Sequence, residues 1–387
     1  MTTVLLKNIG TLISGDITGP VIPADAVLIE NGVIKQVGMA DDLAGTPVDT
    51  TIDCAGSTVT PGLFDSHCHV VLGDYTPRQQ QVGFLESEVH GGITTFISAG
   101  EVHLAGRPKD PAGTKALAIL AAKSFNAFRP GGAKVVGGAV ILEKGLTRAD
   151  FEEMAHEGVR TVGEIGLGSV KEPEDAAPMV KWAKACGMTV MMHTGGTSIP
   201  GSSTVTADMV IQTDPDIVSH INGGPTAIAV DEVRRLITDT DYAIEIVHCG
   251  NPKVTIDAAE LCVEHDAIDR IIIGNDAPSG TGVVPLGILR VVAHLASCSA
   301  ITGAQALCMA SGNTARVHRL PRGIIAAGKE ADLVIMDSPM GSVGDDALSA
   351  IEAGDVPAVS MVLVDGAVVV AKSRNTPPPV RKPQVNG

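Results

Sequence analysis

Aromatic side chains are nearly absent from this 387-residue chain, which has one Trp, two Tyr and six Phe. Aliphatic residues, Ala and Gly must therefore fill its core. No apolar run reaches the length of a bilayer-spanning helix, so no membrane partner is expected. The seven cysteines (54, 68, 186, 249, 262, 298 and 308) are scattered and never form C-x-x-C. That pattern argues against a disulfide framework and a thiolate zinc site, and reads as reduced thiols. Basic residues are outnumbered, 28 against 44 acidic, for a net charge of −16. Nucleic acid and anionic membranes both need clustered Lys and Arg, so neither is expected as a partner. The first residues, MTTVLLKNIGTLISGD, lack a basic segment followed by an apolar stretch and a cleavage site. We read the chain as cytoplasmic.

What is present is globular: 44% apolar and 19% charged residues, with 44 Gly. Residues 1–58 read as short strands and turns, with Asn31-Gly32 joining two apolar runs as in a hairpin. From Val59 onward, short apolar runs alternate with helical stretches. Eight strands are predicted, around 59–66, 94–99, 134–140, 160–166, 189–194, 216–220, 243–248 and 270–275. Strands alternating with helices imply parallel pairing through right-handed crossovers. The expected fold is therefore α/β, a (β/α)8 TIM barrel. A doubly wound sheet is the alternative, but no G-x-G-x-x-G follows the first strand. Past residue 325 the chain returns to strands, with Asp365-Gly366 as a second turn. The ends thus share one character. We expect a small β-sandwich domain from 1–58 plus 325–387, flanking a barrel over 59–324. The Pro-rich tail NTPPPVRKPQVNG reads as extended or disordered.

Chemistry in such barrels sits at the C-terminal ends of the strands. There the sequence places His67 and His69 (strand one), Glu164 (four), His193 (five), His220 (six), His248 (seven) and Asp276 (eight). Residues i and i+2 of a strand share a face, so His67 and His69 can grip one ion. Taken singly, a His closing an apolar strand is more often a hydrogen-bonded core residue, and Asp after Gly-Asn a turn or cap. Taken together, four or five buried imidazoles and two carboxylates without a metal would be a costly polar cluster. The set exceeds the three protein ligands usual at one catalytic zinc, which suggests two divalent ions. Glu164 is the candidate bridge. One ion would take His67, His69 and Asp276, the other His193 and His220. Such ligands suit zinc, iron(II), manganese and nickel; zinc is the first expectation, with iron(II) at one site as the variant.

The run PGLFDSHCH, the His residues of strands five and six, the Asp closing strand eight and GIIAAGKEADLVIMD resemble the amidohydrolase superfamily over almost the whole chain. Many binuclear members bridge with a carboxylated Lys on strand four; with Glu164 there, this chain looks like the Glu-bridged type. The runs GEIGLGS, MMHTGG, SHINGG and GNDAPSG also look like the enamidases of nicotinate fermentation. That resemblance implies opening of a cyclic amide, 6-oxo-1,4,5,6-tetrahydronicotinate, to 2-formylglutarate and ammonia. The implied agent is a metal-bridging hydroxide, with Asp276 as proton shuttle. His248 would contact the substrate carbonyl, or else support the core. Dihydroorotase-like, isoaspartyl-dipeptidase-like and deaminase activities share the same ligands, and a non-catalytic scaffold is the remote alternative. His103 and Thr194 are candidate pocket residues. Arg107, Lys109 and Lys253 could hold a substrate carboxylate but read first as solvated charge. His90, His156, His265, His294 and His318 receive no role. The expected partners are a small-molecule substrate and further copies of the chain in a homo-oligomer.

Overall fold

The computed structural model describes residues 2–70, 78–102, 104, 106–197, 204–224, 226–278 and 284–386, with only the backbone of 78–82. The centre is a ring of parallel strands: β1 (Leu63–Cys68), β2 (Ile93–Ser98), β3 (Lys134–Val136), β4 (Thr161–Ile165), β5 (Thr189–Met192), β6 (Ile217–Val218), β7 (Ala243–Val247) and β8 (Ile271–Gly274). They form two hydrogen-bonded arcs, β1 to β3 and β4 to β8. Parallel bridges from Val140 to Val162 and from Cys68 to Ala277 close the arcs into a barrel, as expected. A helix follows each strand. Local signals start several of them: Asp110 caps Pro111–Ala127 by accepting from the Gly113 N–H, and Asn251 caps Pro252–Glu264.

Pro61 and Gly62 split the single run read at 59–66. Thr58–Pro61 belongs to an outer sheet, and only Leu63–Cys68 enters the barrel. A Cβ at Gly62 would lie 2.1 Å from Thr94 Oγ1, so the chain can turn inward here only without a side chain.

Two further sheets are built from both ends of the chain. One has the order Gln384–Asn386, Thr50–Asp53, Thr3–Lys7, Ala26–Glu30, Val33–Gly38. The other runs Ala367–Val370, Ala358–Val364, Leu333–Asp337, Thr58–Pro61, Thr11–Ile13, Val21–Ile22. One apolar cluster joins them, including Leu6, Ile29 and Ile52 from the first and Leu12, Leu333 and Leu363 from the second. The hairpin turns at Asn31-Gly32 and Asp365-Gly366 meet through Ala331, whose N–H donates to Gly32 O while its carbonyl accepts from Gly366. The tail is ordered rather than loose. Arg381 pairs with fully buried Asp337, and Gln384–Asn386 adds to the sheet edge. A buried carboxylate needs such a partner, and that need fixes the tail.

We propose that the terminal sheets form one folding unit. Leu6→Ala should then cost about 2–5 kcal/mol, and the loss should appear in a single denaturation transition. A cut before residue 59 would also strip Leu333–Asp337 of order. A stable, active 59–325 fragment would contradict the proposal.

Candidate metal centre

His67 lies within β1 and His69 one residue past its end. Their Nε2 atoms both face one carboxylate oxygen, Glu164 Oε2, at 3.4 and 3.5 Å. Glu164 lies in β4, where its N–H donates to Ala99 O at 3.0 Å. The preceding Gly163 permits this close approach, since a Cβ there would meet Ala99 O at 2.5 Å. The other oxygen, Glu164 Oε1, lies 2.6 Å from His220 Nε2 and 3.3 Å from His193 Nδ1. Each oxygen of one buried carboxylate thus faces a different pair of imidazoles.

Both His193 and His220 follow strands shorter than the sequence suggested, and sit just beyond the ladders of β5 and β6. His220 has φ +35° and Asp276 φ +57°, a region most side chains avoid. Such strain persists where neighbours over-determine the backbone, and it clusters at functional sites. Here the His220 N–H donates to Glu245 Oε2 at 3.3 Å and the Asp276 N–H to His67 O at 2.9 Å. The turn aims Asp276 Oδ1 at His69 Nε2, 3.0 Å away, with His67 Nε2 at 3.6 Å.

Two groups have ligand atoms within 4.8 Å of one another: His67, His69 and Glu164, and Glu164, His193 and His220. Both are consistent with a binuclear metal site. Burial pushes the Glu164 carboxyl pKa up, but the His67 and His220 charges and the hydrogen bonds from His193 and His220 hold it well below its usual range. Asp276 behaves alike: burial raises it, and the His69 hydrogen bond with the surrounding imidazoles brings it down. His67 Nε2 is buried and makes no hydrogen bond, although two carboxylate oxygens lie nearby. A shared cation would satisfy that nitrogen, so the donor set fits divalent ions.

Glu245 was not anticipated. It is fully buried in β7, accepts from Ser66 Oγ at 2.6 Å and lies 2.7 Å from His67 Nδ1. A carboxylate on the far nitrogen of an imidazole fixes its tautomer and leaves Nε2 for a metal. The visible signal was an acidic residue inside the apolar run AIEIV. A second buried network lies behind. Asp65 accepts from the backbone N–H groups of His67 (3.1 Å) and Asn275 (2.9 Å), and the Asn275 amide reaches Asp65 and Glu88. It ties the end of β1 to the end of β8. Burial pushes Asp65 up to about 7.

His248 is half-buried beyond β7 and lies outside both ligand groups. Burial and Arg290 hold its pKa low, so it is neutral at pH 7. Thr194 is buried, and its hydroxyl donates to Met192 O at 3.3 Å. His103 lies outside the described residues. Arg107 is not solvated: its side chain is 9% exposed and pairs with Glu143 at 2.8 Å. Lys253 is surface charge, paired with Asp257. His318 is buried, and its pKa falls to about 4 through desolvation.

The amidohydrolase family profile matches residues 58–369. The chain is 59% identical over 385 residues to enamidase of Eubacterium barkeri, covering 100% of both. A crystal structure of enamidase superposes with a TM-score of 0.97 at 58% identity, again over 100% of both chains. Imidazolonepropionase of Bacillus anthracis is 40% identical over 116 residues, 26% of this chain and 27% of that protein. A crystal structure of the β-aspartyl dipeptidase of Fervidobacterium islandicum shares the fold, with a TM-score of 0.67 at 17% identity over 97% of this chain and 99% of that one. The chain belongs to the amidohydrolase family, hydrolases that act on C–N bonds.

Glu245→Gln keeps the shape of the side chain but removes the charge behind His67. Loss of such an outer partner typically lowers metal affinity about 10–100-fold. Zinc titration of metal-stripped protein should show this drop. Unchanged affinity would mean that Glu245 does not tune the site.

Proposed function

We propose that this chain is an enamidase, opening the ring amide of 6-oxo-1,4,5,6-tetrahydronicotinate to give 2-formylglutarate and ammonia. The end-to-end likeness to enamidase carries this reading. The placement of Glu164 between two imidazole pairs supports it. We assign His67, His69 and Asp276 to one divalent ion and His193 and His220 to the other, with Glu164 between them. Such ions, zinc at both positions or iron(II) at one, would activate water and polarise the ring carbonyl.

The chain's own groups manage the protons. Asp276 and His193 have side chains 13% and 10% exposed, against 0–3% for His67, His69, Glu164 and His220, and of these two only Asp276 has a second carboxylate oxygen left over to carry a proton. It takes a proton from the attacking water and gives it to the ring nitrogen. A C–O bond forms at the carbonyl carbon, the ring C–N bond breaks, and its electron pair stays on nitrogen. The product is an enamine. Protonation at carbon makes it an imine, and a second water converts that to the aldehyde with loss of ammonia. His248 is neutral and keeps one N–H, and we assign it to the substrate carbonyl oxygen.

Incubation with the cyclic enamide should yield the open dicarboxylate aldehyde by mass, with ammonia in equal amount. Turnover of dihydroorotate or an isoaspartyl dipeptide instead would redirect the assignment within the family. Asp276→Asn retains a ligand oxygen but cannot accept the proton. Its kcat should fall about 10²–10⁴-fold at near-normal metal content. An Asn variant with full metal and normal kcat would remove Asp276 from the proton path.

A further inference from the structure

Five cations line one cavity of about 370 Å³: Arg129, Lys134, Arg160, Arg319 and Arg322. None of its lining residues is acidic. The chain as a whole carries a net charge of −16, so this concentration of one sign runs against the composition. The cavity lies at the face opposite the metal centre. Lys134 and Arg160 stand at the N-terminal starts of β3 and β4, whereas His67, Glu164, His193, His220 and Asp276 lie toward or beyond the C-terminal ends of their strands.

Carboxylates outside the cavity hold three of the five cations. Lys134 has a side chain 7% exposed and contacts Glu330 at 2.7 Å, Asp332 at 2.8 Å and Asp365 at 2.6 Å. Arg129 shares Asp365 at 2.6 Å, and Arg322 shares Glu330 at 2.7 Å. Those acids account for that side of the wall. Arg160 and Arg319 complete it, and among the described residues neither has a carboxylate within ion-pair distance. Arg319 also has φ +54°, in the position after the last turn of helix Thr314–Val317, where Gly or Asn is preferred. Its guanidinium is steadied by a bond to Gly187 O at 3.0 Å. Arg160 and Arg319 are both exposed, so their guanidinium groups are open to an anion entering the cavity. Phe125 and Leu320 supply an apolar part of the wall. The volume falls in the range of small-molecule pockets.

We propose that this cavity binds a small organic oxyanion, a carboxylate or a phosphate ester, with Arg160 and Arg319 as its principal donors. Guanidinium groups suit both, because their paired N–H donors match either oxyanion. The ligand would neutralise the two unpaired cations at the seam between the barrel and the terminal sheets. It would therefore stabilise the folded chain without touching the reacting atoms. The inference stands apart from the enamidase reading and does not need it.

The test uses the metal-loaded full chain, with succinate and inorganic phosphate as probes against chloride at equal ionic strength. Saturable binding by calorimetry and a rise in Tm are expected for at least one probe; the one that binds identifies the oxyanion class. Arg160→Ala with Arg319→Ala should raise Kd at least 10-fold and abolish the Tm response, with kcat unchanged. Arg160→Gln alone, the milder change, should weaken binding in the same direction. Two results would overturn the proposal. One is no saturable binding of either probe. The other is undiminished binding in the double variant with competitive inhibition of turnover, which would place the anion at the metal centre.

Discussion

A single carboxylate shared by four imidazoles is the constraint on which the rest of the structure turns. Glu164 is buried, and each of its oxygens faces two ring nitrogens contributed by other strands. A charge so placed is tolerable only if the surrounding groups hold their positions to within a few tenths of an ångström. The barrel supplies that rigidity. The ring is closed beside the site by Cys68 and Ala277, and Asp65 and Asn275 lock the ends of β1 and β8 together. Glu245 does the same from below, binding Ser66 and His67 and accepting from the His220 backbone. The left-handed turns at His220 and Asp276 are where that rigidity is used.

The terminal sheets serve this arrangement indirectly. Thr58–Pro61 is hydrogen-bonded in the outer sheet on both sides, to Thr11–Ile13 and Leu333–Asp337. Only Gly62 separates it from β1. The entry point of the strand carrying His67 is therefore held by residues from both ends of the chain. Lys134 makes a second connection, joining the start of β3 to Asp332 and Glu330. The scarcity of aromatics is met by close packing of small and branched side chains, with Phe64, Phe96 and Phe151 the largest of the fully buried side chains.

Much of this was legible in the sequence because strand ends carry a plain signature. An apolar run ending in His, Asp or Glu marks both the end of a strand and the rim of the barrel, so His67, His69, Glu164, His193, His220 and Asp276 were readable as candidates, and their side chains lie close together. Glu245 was not, because it stands in the middle of AIEIV, short of the strand end, and its partners Ser66 and His67 lie 179 and 178 residues away. Arg107 looked solvent-facing for the same reason: its partner Glu143 lies far along the chain. The tail's order depends on Arg381 finding Asp337, 44 residues away, which no local pattern encodes. The basic cavity is the extreme case. Its five cations span residues 129 to 322, and nothing in their separate neighbourhoods groups them.

Anomalous diffraction from zinc-loaded crystals of the full chain tests the central claim most directly. The account predicts two peaks per chain, one on each side of Glu164, the first against His67, His69 and Asp276 and the second against His193 and His220. A single peak, or two peaks that do not share Glu164, would contradict it.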